Sequence, residues 1–254
     1  MRKMYANRKE QFPLPEFVAP ESPVIVSLTS YKHRIKDIIP TLISLHEQSY
    51  KPDLVVLYVA NEDLPLVTDE IREYCEVRDC EDTKSYKKFN GIFDFPDCCV
   101  VTADDDLIYH TDWLKTLLRA SQLAPNCVAA HNTFILSNWN WGGVATRMAN
   151  RRSIQGMMHM YVMTGAGVLI PPGVADQLEE LHDAHKFNPY CDEKALTALL
   201  YVKHIPVVAT SMNSDPYHHE AYRNSVSLWD MYNCKNQELR WDETKKWLQS
   251  HKLL

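Results

Sequence analysis

Glycine is scarce in this chain, with 7 in 254 residues. So few leave little room for a glycine-rich phosphate loop or a flexible interdomain linker. No apolar run approaches the ~18 residues that a membrane-crossing helix requires. The opening segment, MRKMYANRKEQFPLPEF, is basic and then proline-containing, without the apolar core of a secretory signal. The cysteines at 75, 80, 98, 99, 127, 191 and 234 are odd in number and form no C-x-x-C pair. A disulfide framework or thiolate zinc site is therefore not expected, and reduced thiols fit better, with Cys98 and Cys99 as packing residues. Positive charge is not in excess either. The 27 Lys and Arg face 33 Asp and Glu, for a net charge of −6, which argues against broad nucleic-acid binding. An anionic ligand would need a local cation or a metal.

What remains is an ordinary globular composition, 45% hydrophobic and 24% charged. Residues 1–22 read as an N-terminal arm, draped or in contact with a membrane surface or partner. The first strand is predicted over Val24–Leu28, after Pro23, and a second over Leu54–Val59. Between them Ile35, Ile38, Ile39, Leu42 and Leu45 recur at helical spacing, with Pro40 bending the helix or marking its start. A helix over Asp69–Cys75, a short strand over Cys75–Arg78 and a helix over Lys84–Phe93 follow. Cys98–Ala103 reads as a buried strand. Trp113–Leu123 reads as an amphipathic helix with Asp112 as its cap. This β-α-β-α-α-β-α order calls for a mainly parallel sheet with right-handed crossovers. Ligands of such sheets bind beyond the carboxyl ends of the strands.

The second half is less regular. It gives a strand over Val128–His131 and a loop over Asn138–Asn150. A strand in Met160–Ile170 is interrupted by Gly165 and Gly167. A helix over Glu193–Val202, a strand over Ile205–Thr210 and a helix over Asp242–Leu248 complete it. The expected fold class is α/β, one domain over 23–210, with a nucleotide-binding half (23–110) and an acceptor half (111–210). The tail, 211–254, is expected to pack on the active site.

Three aspartates, Asp104, Asp105 and Asp106, follow directly on the apolar run Val100-Val101-Thr102-Ala103. Adjacent carboxylates repel and raise one another's pKa. A bound Mn²⁺ or Mg²⁺ would compensate them and could bridge to a diphosphate. The plain alternative is a solvated turn with one aspartate capping the next helix.

The segment VVTADDDLIYHTDWL resembles the D-x-D region of GT-A glycosyltransferases, and most of all the bacterial family-2-like enzymes of surface-polysaccharide assembly. VIVSLTSYKHRI, CEDTKSYKK, MTGAGVLIPP and CDEKALTALL fall in the order of that group, and together cover roughly residues 23–210. The resemblance implies a GT-A-like (Rossmann-like) fold and a nucleotide-sugar donor, often a UDP-sugar. It also implies a glycan or lipid-linked acceptor. The reduced thiols fit a cytoplasmic protein, and the basic arm could bring it to the inner face of the membrane.

By position, the resemblance implies that Ser27, Thr29 and Arg34 frame the nucleoside, that Asp82 contacts the base and that Lys88 lies near the donor phosphates. Asp104 and Asp106 would contact ribose and metal, with Asp105 contributing to one or both, and Asp106 is favoured as the metal ligand. Each has a bland alternative. Thr29 and Ser30 could cap a helix, Arg34 could pair with Asp37, and Lys84, Lys87 and Lys88 could form a solvated face.

An inverting transferase needs a carboxylate to deprotonate the acceptor hydroxyl. Asp192-Glu193 matches the acidic pair that supplies it in similar enzymes, with Glu193 favoured. Lys194-Ala195 follow, where the related pattern commonly carries a tryptophan two places on. Helix capping by Asp192 is the structural alternative. Thr164-Gly165-Ala166-Gly167 would let backbone approach the sugar or acceptor, or form a bulge. Trp139 and Trp141 could stack on a sugar ring. Arg147, Arg151 and Arg152 could meet an anionic acceptor. His219 or His218 could supply a third metal ligand. Clustered carboxylates would also suit a metal-dependent nucleotidyltransferase or phosphohydrolase, but no phosphate loop or D-x-D-x-T signature is present. A non-catalytic sugar-binding domain is the remaining alternative.

Overall fold

The computed structural model describes residues 16–136, 145–147, 160–210, 217–218 and 237–254. The short β-branched runs become strands as expected: β1 (Val24–Thr29), β2 (Leu54–Ala60), β3 (Glu76–Cys80) and β4 (Cys99–Ala103). The helical repeat after β1 divides in two. Lys32–Asp37 is a 3-10 turn, and α1 (Ile39–His46) begins with Pro40 in its first turn, where the missing N–H costs nothing. The connection after β2 holds a 3-10 turn, Asn61–Leu66, and α2 (Asp69–Tyr74), capped by the Thr68 hydroxyl.

The expected helix over Lys84–Phe93 is instead a 3-10 turn, Lys84–Phe89, running into the five-residue α3 (Asn90–Asp94). β5 (Leu107–Ile108) follows the acidic run, and α4 (Trp113–Leu123) buries Trp113, Leu114, Leu117, Leu118 and Ala120. Asp112 stands before α4 but makes no side-chain cap. Its carboxylate accepts the Ser49 hydroxyl at 2.6 Å, so the tertiary partner displaces the local one.

Three further strands, β6 (Val128–Ala130), β7 (Thr133–Leu136) and β8 (Ala145–Arg147), precede β9 (Met160–Val162) and β10 (Val168–Ile170). The segment Asn138–Asn150 is thus not wholly loop. The interrupted strand over Met160–Ile170 is two strands in two sheets, because Gly167 at φ 119° turns the chain between them. A 3-10 turn (Ala175–Leu178), α5 (Leu181–Ala184), α6 (Asp192–Val202), β11 (Val207–Ala209), β12 (Tyr217–His218) and α7 (Gln237–Ser250) complete the order. α7 is twice the length expected, since its outer face carries no hydrophobic period to announce it.

The main sheet has seven strands in the order β11-β6-β10-β4-β1-β2-β3. β10 runs antiparallel to β4 and β6, and the other pairings are parallel. Alternation within the apolar strands splits the core. Ile25, Val56, Tyr58 and Val100 face one hydrophobic layer with α6, while Val24, Val26, Leu28, Val55, Leu57 and Val101 face the other with α1 and α4. Each such fully buried aliphatic side chain stabilises the fold by roughly 1.5–3 kcal/mol. Because β1 to β4 are parallel, the chain leaves all four at one sheet edge. The reversed β10 brings its preceding loop, Thr164–Gly167, to that same edge.

Candidate functional site

The alternation of β4 continues past its end and sorts the aspartates. Thr102 and Asp104 lie on the α6 side, and Ala103 and Asp105 on the α1 side. Asp105 is buried; its carboxylate pairs with Arg34 and accepts the Ser30 hydroxyl at 2.6 Å, while its backbone carbonyl accepts Thr41 Oγ1 at 2.9 Å. Arg34 Nη2 also reaches Asp106 Oδ2 at 2.9 Å. Arg34 is therefore not a surface partner of Asp37, and Ser30 is not a helix cap. Burial pushes the Asp105 carboxyl up to about 7 against the pull of Arg34, with the Asp106 charge adding to the rise.

Asp104 keeps more than a third of its side chain exposed and takes the Lys88 ammonium as its partner. Its backbone N–H donates to Tyr109 Oη at 2.7 Å, and that hydroxyl donates to Gly165 O at 2.7 Å. Gly165 lies directly against the Asp104 carboxylate, so the room a side chain would fill belongs to Asp104 rather than to a sugar. Burial raises the Asp104 pKa, Lys88 opposes the rise, and the Asp106 and Asp192 charges add to it.

Lys88 is buried, as is Lys87, so neither belongs to a solvated face; Lys84 is exposed. The Lys88 ammonium meets Asp192 Oδ2 at 3.2 Å and Thr164 Oγ1 at 3.3 Å in addition to Asp104. Its backbone carbonyl accepts the Ser27 hydroxyl at 2.6 Å. Ser27 is fully enclosed, and what it frames is the Lys88 backbone. Thr29, half-buried, donates to Tyr58 O at 2.8 Å. Asp82 follows β3 and pairs with Lys84 and with Lys87 Nζ at 2.9 Å. Burial works against its charge, but those two ammonium groups hold its carboxyl well below the usual range.

Two lysines open the turns that deliver these groups, both in the left-handed region: Lys32 at φ 45° before Arg34, and Lys84 at φ 59° before Lys88. For a non-glycine residue this costs roughly 1–2 kcal/mol. A carboxylate holds each backbone N–H, Asp63 that of Lys32 and Asp82 that of Lys84, both at 3.1 Å. Local strain beside the site is thus offset by one tertiary hydrogen bond, Lys32 to Asp63, and one local one, Lys84 to Asp82.

Asp192 and Glu193 open α6, whose cap position is Cys191. Asp192 does not cap the helix. Its two oxygens accept Ser85 Oγ at 2.7 Å and Thr164 Oγ1 at 2.6 Å, and Lys88 closes on the second. Burial disfavours its charge, yet Lys88, Thr164 and Ser85 together lower its pKa. Glu193 is half-buried, with Cys191 Sγ at 3.7 Å. Burial, and then the neighbouring Asp192 charge, push it up to about 8. Ser85, Tyr109 and Thr41 had no sequence signal beyond lying in or near the quoted motifs, because long-range folding alone gives them partners.

The site gathers five carboxyls, Asp104, Asp105, Asp106, Asp192 and Glu193, around two cations, Arg34 and Lys88. Among the described residues no group of three or more His, Cys, Asp or Glu side chains is arranged to hold a metal. Trp141, Trp139, Arg151, Arg152 and His219 lie outside the described residues, as do the side chains of Arg147 and His218. The tail returns to this edge through β12, whose Tyr217 and His218 pair with Ile108 and Leu107 just past Asp106. The described cysteines are all free thiols. No helix among the described residues is long and apolar enough to cross a membrane.

This sheet order, with one reversed strand and an acidic run at the end of β4, is the GT-A-like glycosyltransferase fold. Among solved structures the chain is similar to TarS of S. aureus, residues 1–349, in complex with UDP-GlcNAc. The TM-score is 0.57 at 12% identity, over 83% of this chain and 61% of that one. The same TarS fragment alone gives 0.53 at 14% identity, over 90% and 72%. Its UDP complex gives 0.52 at 14%, over 85% and 64%. The chain thus spans less than two thirds of the TarS fragment in both complexes. At these identities the likeness establishes the fold. No protein-family model matches the chain, and no curated protein does.

Proposed function

We propose that the protein is a glycosyltransferase that moves a sugar from a nucleotide donor, a UDP-sugar, to a hydroxyl of a glycan or lipid-linked acceptor. The observation that carries this reading is the convergence of Asp104, Lys88 and the Asp192-Glu193 pair at the carboxyl edge of a GT-A-like sheet. That edge is where ligands of open α/β sheets bind. The likeness to TarS bound to UDP-GlcNAc and to UDP supports the donor class. The acceptor class and a family-2-like affinity rest on the sequence motifs, a cytoplasmic setting on the reduced thiols, and contact with a membrane surface on the basic N-terminal arm.

The carboxylates suit Mn²⁺ or Mg²⁺. Magnesium-type sites use one or two protein carboxylates with substrate phosphates and water, so a closed three-residue cage is not required. Asp104 and Asp106 would hold the ion, and the repulsion by which the Asp106 charge raises the Asp104 pKa is what such an ion would relieve. His219 is a further candidate ligand. Once bound, such an ion supplies charge neutralisation to the departing diphosphate.

The chain's own residues do the rest. Lys88 adds positive charge beside Asp104. Asp82, on the β3 side, is the residue assigned to the base by the sequence resemblance. Glu193 accepts the acceptor hydroxyl's proton during inversion; a raised proton affinity makes it a stronger base than an ordinary carboxylate. Positioning and electrostatics supply most of the catalysis.

The test is calorimetric titration of UDP with and without Mn²⁺, followed by turnover of UDP-sugars. Joint binding of UDP and Mn²⁺ is expected. A protein that binds no nucleoside diphosphate under either condition is not this enzyme.

A further inference from the structure

Asp192 and Glu193 are neighbours in sequence but do not share an environment. Both Asp192 oxygens are engaged, Oδ1 by Ser85 and Oδ2 by Thr164 and Lys88. Its side chain is 5% exposed, which leaves little surface for an acceptor hydroxyl. Glu193 is the more open of the two and is paired with neither cation of the site.

The Lys88 ammonium is itself 2% exposed and lies between two carboxylates from opposite halves of the chain, Asp104 after β4 and Asp192 on α6. A buried ammonium that loses its only counter-ion is costly. If Lys88 had Asp104 alone, Asp104 could not turn toward a metal or diphosphate without stranding that charge. A second buried anion, fixed by two hydroxyls, removes this obstacle.

We propose that Asp192 is a positioning residue of the donor side. It holds Lys88 in place and compensates its charge, so that Asp104 is released to engage the donor, while proton transfer belongs to Glu193. The inference rests on the reading of this edge as a nucleotide-sugar site. Thr164, which donates to Asp192 and accepts from Lys88, is the hinge of the arrangement.

The experiment compares Asp192→Asn with Glu193→Gln in the full chain, measuring UDP affinity in Mn²⁺ by calorimetry and the steady-state constants. Asp192→Asn should weaken UDP by at least about tenfold and raise the donor KM. Glu193→Gln should keep UDP affinity within about twofold and lose kcat. If Asp192→Asn does not fold, Thr164→Val keeps the volume, removes the bridging hydroxyl and should weaken UDP in the same sense. Wild-type UDP affinity in Asp192→Asn, or in Thr164→Val where that variant stands in for it, overturns the assignment and leaves the donor site standing. A wild-type protein that binds no nucleoside diphosphate overturns both.

Discussion

Gly165 presents its bare Cα to the carboxylate of Asp104, and a Cβ added there would overlap Asp104 Oδ2. Two residues 61 positions apart thus share one volume. Gly165→Ala should push Asp104 from its place beside Lys88 while leaving the sheet intact. A misplacement of about 1 Å in a residue that positions the substrate costs on the order of 100-fold in rate. Steady-state turnover with a UDP-sugar, alongside an unchanged circular dichroism spectrum, checks this. Full activity in the variant would show that Asp104 has no fixed role.

Burying Arg34 depends on Asp105. Removing one partner of a buried ion pair costs about 3–5 kcal/mol, and Asp106, at 2.9 Å from the same guanidinium, should hold the loss for Asp105→Ala toward the lower figure. Urea denaturation should place it near 3 kcal/mol. Asp106→Ala should cost less stability, because the Asp105 pairing and its Ser30 hydrogen bond survive.

On the proposed reading, the pH dependence of the reaction follows from Glu193 as the base. A base works when deprotonated, and the free-enzyme pKa of about 8 appears in kcat/KM. The logarithm of kcat/KM should therefore rise with pH below about 8 and level off above it. The group's first cause of elevation is burial and its second the Asp192 charge. Asp192→Asn should accordingly move the rising limb to lower pH, and Glu193→Gln should abolish it. An acidic limb unchanged in Glu193→Gln assigns the base elsewhere.

The last helix is fastened to the segment that carries Asp192 and Glu193. Lys194, buried beside Glu193, lies 5.0 Å from the Trp241 ring centroid and 5.7 Å from that of Tyr161. Asn188 donates to Arg240 O and Thr244 Oγ1, and Trp247 Nε1 donates to Asp183 at 3.0 Å. Trp241→Ala should cost about 3–5 kcal/mol, read as a lowered thermal midpoint and as earlier proteolytic cleavage near α7.

Much of the frame was legible in the chain. β-branched runs marked β1, β2 and β4, because strand burial acts locally, and the acidic run at the carboxyl end of β4 could be placed for the same reason. Pro40 left open whether it bends the helix or starts it, and the structure puts it in the first turn of α1. Two regions resisted. Met160–Ile170 looked like one broken strand, and only the sheet pairings divide β9 from β10. Asp112 had a cap's position, but a tertiary partner, Ser49, took its carboxylate.

The sequence by itself determined that a strand of a mainly parallel α/β sheet ends in three aspartates, with a lysine pair before them and an acidic pair after. Periodicity and residue type carry that much, since both act over a few neighbours. Only the tertiary structure decided what each charge faces. The pleat of β4 sends Asp104 to Lys88 and Asp105 to Arg34, and the reversed β10 brings Thr164 and Gly165 to meet them. Asp192 and Glu193, adjacent in the chain, part company because one side chain closes on Lys88, Ser85 and Thr164 and the other does not. Such pairings join residues 16 to 107 positions apart. No local pattern encodes them, because the low-dielectric packing that selects them exists only after the chain has folded.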